Sequence, residues 1–147
     1  MDKTAGILFA ISSLPSKYGI GCFSEEAYKF VDWLVEAGQT FWQILPVGPT
    51  GYGDSPYQSV STFAGNPYFI DLDYLVEEGL LDKEELDNTF WGSDSEFIEY
   101  DVIYNARFNV LRKAYKASPH KKTDEYKKFL EENPDFDFDK DVAEATK

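Results

Sequence analysis

Apolar residues follow two rhythms along this chain. Gly6 to Ile11 (GILFAI) and Phe41 to Leu45 (FWQIL) are short, nearly continuous apolar runs, the pattern of strands covered on both faces. Between them Ala27, Phe30, Val31, Leu34 and Val35 recur at helical spacing, which predicts an amphipathic helix. Ser24 stands where an N-cap belongs, Glu25 and Glu26 suit the positive end of the helix dipole, and Gly38 suits the C′ position. Strand, helix and strand in so short a span predict a parallel βαβ unit. In such folds the chemistry collects in loops at the carboxyl ends of the strands. The polar loop 12–23 and the loop 46–66 both leave from those ends and are expected side by side.

A short strand is expected just before Asp71, with Asp71 and Asp73 as caps. From there the rhythm is helical. Tyr74 to Glu78 predicts a helix closed by Gly79, and Lys83 to Asp87 another capped by Asp82. Asp101 is placed to cap a longer one carrying Ile103, Tyr104, Phe108, Leu111 and Tyr115, stopped at Ser118-Pro119. Thr123 to Glu132 predicts a last helix, and the acidic stretch Asn133 to Lys147 is expected to fray. Two strands bury too little to stand as a parallel sheet. The chain therefore reads as the opening of a larger α/β barrel or sheet: residues 1–80 hold the first β/α units, and residues 81–147 a helical segment and acidic tail.

Composition narrows the partners. The 147 residues carry a formal net charge of −13, which disfavours nucleic acid and anionic membranes, since both need clustered Lys and Arg. Cys22 is the single cysteine, so no internal disulfide forms and a reducing, cytoplasmic setting is expected. It reads as a small buried apolar residue. The apolar run at the N-terminus is too short for a signal peptide or membrane span.

The chemistry gathers in 46–66. Aromatics are 17% of the chain, and here Tyr52, Tyr57 and nearby Tyr68 offer flat faces with hydroxyls among Gly, Pro and Ser. Such a rigid loop suits a neutral, hydroxyl-rich ligand such as a sugar. Asp54 reads either as a polar contact to a ligand hydroxyl or as a turn residue after Gly53. Gly19-Ile-Gly21-Cys-Phe-Ser24 imitates a dinucleotide fingerprint, but Ser24 replaces the third glycine and no acid ends the second strand. Gly48 to Ser55 has P-loop spacing with Asp54 where the lysine belongs, and a carboxylate there repels phosphate. His120, the one histidine, reads as a solvated surface residue and builds neither a metal cluster nor a triad. Glycoside chemistry needs two carboxylates about 5–5.5 Å apart for retention, and no such pair is assignable.

The segments GILFAISSLPSKYGIG (6–21), FWQILPVGPTGYGDSPYQSVSTFAGNPYFIDLD (41–73), LVEEGLL (75–81) and YNARFNVLRKAY (104–115) closely resemble the N-terminal part of the 4-α-glucanotransferases, the amylomaltases or disproportionating enzymes. The resemblance covers roughly residues 5–132. It implies a (β/α)8 TIM barrel with an inserted helical subdomain. It also implies transfer of an α-1,4-glucan segment between maltooligosaccharides or starch chains, by retaining double displacement with an Asp nucleophile and a Glu acid/base. No organic cofactor or metal is implied. By resemblance Tyr57 lies beside the sugar at the cleavage point, Ser55 is a donor-side contact, Asp54 and Gln58 are neighbours, and Tyr52 belongs to an accessory glucan site. Asn66 and Pro67 shape the loop. The resemblance puts the essential carboxylates on barrel strands past residue 147, so the isolated chain is expected to be an inactive, poorly stable N-terminal portion. A non-catalytic glucan-binding remnant is the alternative.

Overall fold

The computed structural model describes residues 4–61 and 64–134. Strand β1 (Gly6–Leu8) pairs in parallel with strand β2 (Phe41–Gln43), Gly6 opposite Phe41 and Leu8 opposite Gln43. Helix α1 (Glu25–Glu36) makes the crossover, as the apolar rhythm predicts. Two backbone bonds extend the ladder: Thr40 N–H donates to the Ala5 carbonyl at 2.8 Å, and Phe9 N–H to the Gln43 carbonyl at 3.0 Å. Both strands are shorter than their apolar runs, because Ile11–Ser13 winds into a 3₁₀ turn and Pro46, lacking an N–H, follows β2.

Cover on both faces is not observed. Side chains alternate along a strand, and only the face of Ile7 and Trp42 is half-buried. Trp42 packs edge-on against Phe30 of α1 at 4.9 Å, and its indole N–H donates to the Phe9 carbonyl at 2.8 Å. Leu8 is 59% exposed and Phe41 62%, since no third layer covers that face among the described residues. The stripe of α1 is likewise wider than the surface it buries. Ala27 and Leu34 are buried, while Val31 and Val35 are exposed. Ser24 occupies the N-cap position with extended backbone, but its hydroxyl makes no capping bond.

The expected short strand before Asp71 is a 3₁₀ turn, Pro67–Phe69. Pro67 fixes the first φ, and the Asn66 side chain accepts the Tyr68 N–H at 3.0 Å, so the local chemistry selects a turn. Helices α2 (Leu72–Glu77), α3 (Lys83–Asn88) and α5 (Asp124–Glu132) start where side-chain caps hold them, at Asp71, Asp82 and Thr123. Helix α4 (Tyr100–Ala117) starts ahead of Asp101, with Glu99 at the N-cap position. It buries Ile103, Arg107, Val110 and Ala114 rather than the larger residues one position on, because a buried arginine occupies the centre of its face.

The loop 12–23, polar by composition, lies in the core. Leu14, Tyr18, Ile20 and Cys22 are all buried. Tyr18 packs with Leu72, Leu86 and Val110, Leu14 with Ile11 and Ala27, and Ile20 with Tyr68 and Ile103. Arg107 fastens this loop to α2, donating from its guanidinium to the carbonyls of Ile70 at 2.5 Å and Tyr18 at 3.5 Å. His120 is not simply solvated: it is half-buried, with its ring 4.8 Å from Tyr115 and 5.6 Å from Tyr126, tying α5 to the end of α4. Of the tail expected to fray, Asn133 to Lys147, all from residue 135 on lies outside the described residues. No described helix is long and apolar enough to cross a membrane.

Gly21 shows how tightly loop and strand fit. A Cβ there would meet the Ile11 carbonyl oxygen at 2.2 Å and the Leu14 backbone at 2.7 Å. Backbone cannot yield as a side-chain tip does, so Gly21→Ala is expected to cost about 2–3 kcal/mol or more. A urea midpoint unchanged from the parent would contradict this packing.

Candidate functional site

Beyond Pro46 the chain forms a folded tongue. Val60 N–H donates to the Pro49 carbonyl at 3.2 Å, Gly51 N–H to the Gln58 carbonyl at 3.4 Å, and Thr50 bridges Ser59 in antiparallel sense. The tip is two linked turns, with Asp54 N–H donating to Gly51 and Gln58 N–H to Ser55 at 3.1 and 3.0 Å. Glycines make the tongue thin: a Cβ on Gly48 would collide with the Ser59 hydroxyl at 2.4 Å. At its base Asn66 N–H donates to the Val47 carbonyl at 2.8 Å. Asn66 thus closes the loop from both its backbone and its side chain.

The two long loops do meet. They enclose a cavity of about 250 Å3 at the carboxyl ends of β1 and β2, with Ser12 and Ser13 on one wall, Thr50 and Asp54 on the other, and Tyr68 and Tyr100 closing it. That is slightly below the ~300–1,000 Å3 usual for small-molecule pockets, a size suited to a single sugar ring. Asp54 is the one carboxylate lining it among the described residues.

Asp54 sits at φ 54°, the left-handed region that Asp tolerates better than most side chains. Burial raises its carboxyl pKa, and a hydrogen bond with the Thr50 hydroxyl offsets part of the rise. Tyr68 is buried and its phenol is pushed up to about 12, by burial first and then by the negative charge of Asp54. Tyr100 moves up for the same two causes in the same order. Both phenols therefore stay protonated near neutral pH and remain hydrogen-bond donors.

The other sequence-derived candidates lie on the tongue outside this cavity. Ser55 is half-buried, while Gln58 is exposed. Tyr57 is 74% exposed, and Tyr52 stands fully in solvent. The structure thus brings Asp54 together with Tyr68, and leaves Tyr52 and Tyr57 as exposed aromatic faces on the tongue. Asp71 and Asp73 are accounted for structurally. Asp71 caps α2, and Asp73 accepts from the Tyr18 hydroxyl at 2.5 Å and the Lys17 ammonium at 2.8 Å. Burial alone would raise the Asp73 pKa, but those two partners hold it below the usual carboxylate value. Gly19 and Gly21 serve close packing against backbone, so the fingerprint they imitate is a matter of fit. Cys22 is buried as expected, its thiol pushed up by burial despite the Arg107 guanidinium beside it.

Sequence reasoning missed Ser12, Ser13 and Tyr100. Their signal was weak: two serines after a strand, and one aromatic at the start of a helix far along the chain.

A parallel βαβ opening with a largely apolar cavity carrying a few polar groups and two tyrosines at the carboxyl ends of its strands is the layout of an α/β enzyme's binding face. The family model described as 4-alpha-glucanotransferase matches residues 9–137, and the chain belongs to that family. It is 56% identical over 122 residues to a 4-alpha-glucanotransferase of Clostridium butyricum, covering 83% of this chain and 25% of that protein. It is 42% identical over 127 residues to one from Thermus thermophilus, covering 83% and 24%. Among solved structures, the amylomaltase from Streptococcus agalactiae in complex with acarbose superposes with TM-score 0.80 at 44% identity, over 89% of this chain and 26% of that one. The chain therefore shares the fold of the matching part of an amylomaltase and spans about a quarter of the length of its relatives.

Proposed function

We propose that this chain forms the N-terminal, glucan-binding part of a 4-α-glucanotransferase, which moves an α-1,4-glucan segment between maltooligosaccharides or starch chains by retaining double displacement. The observation that carries the reading is the cavity between the two loops, with a single carboxylate. Retaining chemistry needs a pair about 5–5.5 Å apart, whereas the cavity offers Asp54 alone among the described residues. On this reading the chain binds and orients the sugar, and the carboxylate pair comes from other strands of a (β/α)8 barrel. Residues 1–80 are its first β/α units and residues 81–147 belong to an inserted helical subdomain. The exposed Leu8 and Phe41 fit neighbouring barrel elements. Tyr57 flanks the sugar at the cleavage point, with Ser55, Asp54 and Gln58 beside it, and Tyr52 serves an accessory glucan site. The setting is cytoplasmic, the partner a neutral α-glucan, and the chemistry requires no cofactor or metal.

The test is incubation of the chain with maltotriose, followed by chromatography of the products and a calorimetric titration. The expected result is binding without release of glucose or formation of longer maltooligosaccharides. Transfer products would mean that a carboxylate pair assembles within these residues, and the division of labour would be overturned. Absence of binding would remove the glucan reading of the cavity.

A further inference from the structure

Helix α4 begins at the mouth of the cavity. Its first residue, Tyr100, lines the same space as Asp54 and Thr50, although 46 positions separate it from Asp54. We propose that Tyr100 is a sugar-contacting, specificity-determining residue, so that the helical segment and the tongue read one glucose unit together. The inference rests on the glucan reading of the cavity and adds a residue to it.

Three features hold the ring there. Tyr100 packs against Tyr68, with ring centroids 6.0 Å apart at 55°, and against the cluster of Ile20 and Ile103. Ahead of it the Glu99 carboxylate accepts from the Ser93 N–H at 2.5 Å, the Ser93 hydroxyl at 2.9 Å and the Asp94 N–H at 3.3 Å, which fixes the approach to α4. The first loop is keyed to the same helix at Gly19. With φ +76°, a Cβ there would meet the Trp91 carbonyl oxygen at 2.4 Å and the Ile103 side chain at 2.6 Å. The position of Tyr100 relative to both loops is thus set by close packing, and a pre-set ring loses little entropy on binding.

The chemistry is complementary. A glucose hydroxyl both donates and accepts. Asp54 offers an acceptor, and the Tyr100 phenol, kept protonated by burial and by the nearby Asp54 charge, offers a donor. A hydroxyl seated between them is satisfied in both senses, while an apolar ligand of the same size leaves Asp54 with the Thr50 hydroxyl alone in a half-buried site, which is unfavourable.

Tyr100→Phe keeps the ring and its packing and removes only the hydroxyl. Titrating the chain with maltotriose, we expect the dissociation constant to rise on the order of 2–10-fold, the range for one lost hydrogen bond. The thermal midpoint should not move, and Tyr74→Phe, on an exposed tyrosine outside the cavity, should leave affinity at the parental value. Parental affinity retained in Tyr100→Phe overturns the inference while the glucan reading stands. A parent chain without maltotriose affinity removes both. A lowered midpoint together with weaker binding would make Tyr100 a packing residue and also overturn it.

Discussion

Arg107→Ala is expected to remove a large part of the chain's stability. Arg107 is fully buried, and its guanidinium is the one described side chain that bonds both the 12–23 loop, at the Tyr18 carbonyl, and the α2 entry, at the Ile70 carbonyl. Removing it strips two backbone carbonyls of a charged donor and leaves a cavity beside buried Cys22 and Tyr68. Together these losses come to about 3–5 kcal/mol. A small domain has only ~5–15 kcal/mol in all, and this one leaves apolar strand surface uncovered. Arg107→Lys should recover little, since an ammonium cannot fork between two carbonyls held by separate segments. Circular dichroism through a urea titration measures both variants. A midpoint within error of the parent for Arg107→Ala would mean that apolar packing and the bonds of Tyr18 and Lys17 to Asp73 hold loop and helices without it.

Arg107 also marks the limit of what the sequence discloses. Ile103, Arg107, Val110 and Ala114 lie at spacings of four, three and four, a helix stripe with a charge in its middle. Reading by size picks Ile103 with Tyr104, Phe108, Leu111 and Tyr115; Ile103 is indeed buried, but past it that reading runs about one position off the buried stripe. A polar residue on an otherwise small-residue stripe was the available clue. Its partners, the carbonyls of Tyr18 and Ile70, are long-range and leave no mark in local pattern.

Local chemistry was more legible. Asp71, Asp82 and Thr123 each accept an N–H from two or three residues ahead, a preference written within a few positions; α3 and α5 start within a residue of expectation, while α2 starts at Leu72, two residues ahead of the expected Tyr74. The strand expected before Asp71 failed for the same reason in reverse, because Asn66-Pro67 specifies a turn more strongly than Tyr-Phe-Ile specifies a strand. The 12–23 loop was misjudged because Ser, Pro, Lys and Gly dominate its composition, while its few apolar side chains enter the core. At the site, Asp54 could be named from the tongue alone. Tyr100 could not, since nothing in its neighbourhood reports which cavity α4 will reach.

In a complete glucanotransferase carrying this N-terminus, Tyr57→Ala is expected to lower kcat/KM for maltotriose transfer about 30–150-fold, the sum of a lost aromatic contact and a lost hydroxyl bond at ~2–3 kcal/mol together. Tyr52→Ala should change that value less than about threefold if Tyr52 is, as proposed, an accessory contact, since such a contact contributes little to a three-sugar substrate. Both tyrosines stand on the tongue with free ring faces, so exposure does not separate them. Position does. Neither lines the cavity, but Tyr57 directly follows Pro56, which does, whereas the residues on either side of Tyr52 do not. The difference should therefore reverse with substrate length, Tyr52→Ala losing ground on long amylose while Tyr57→Ala stays uniformly impaired. The measurement is initial transfer rate on maltotriose and on amylose for the two variants side by side. Equal losses on maltotriose would contradict the assignment and make the whole tongue tip one binding surface.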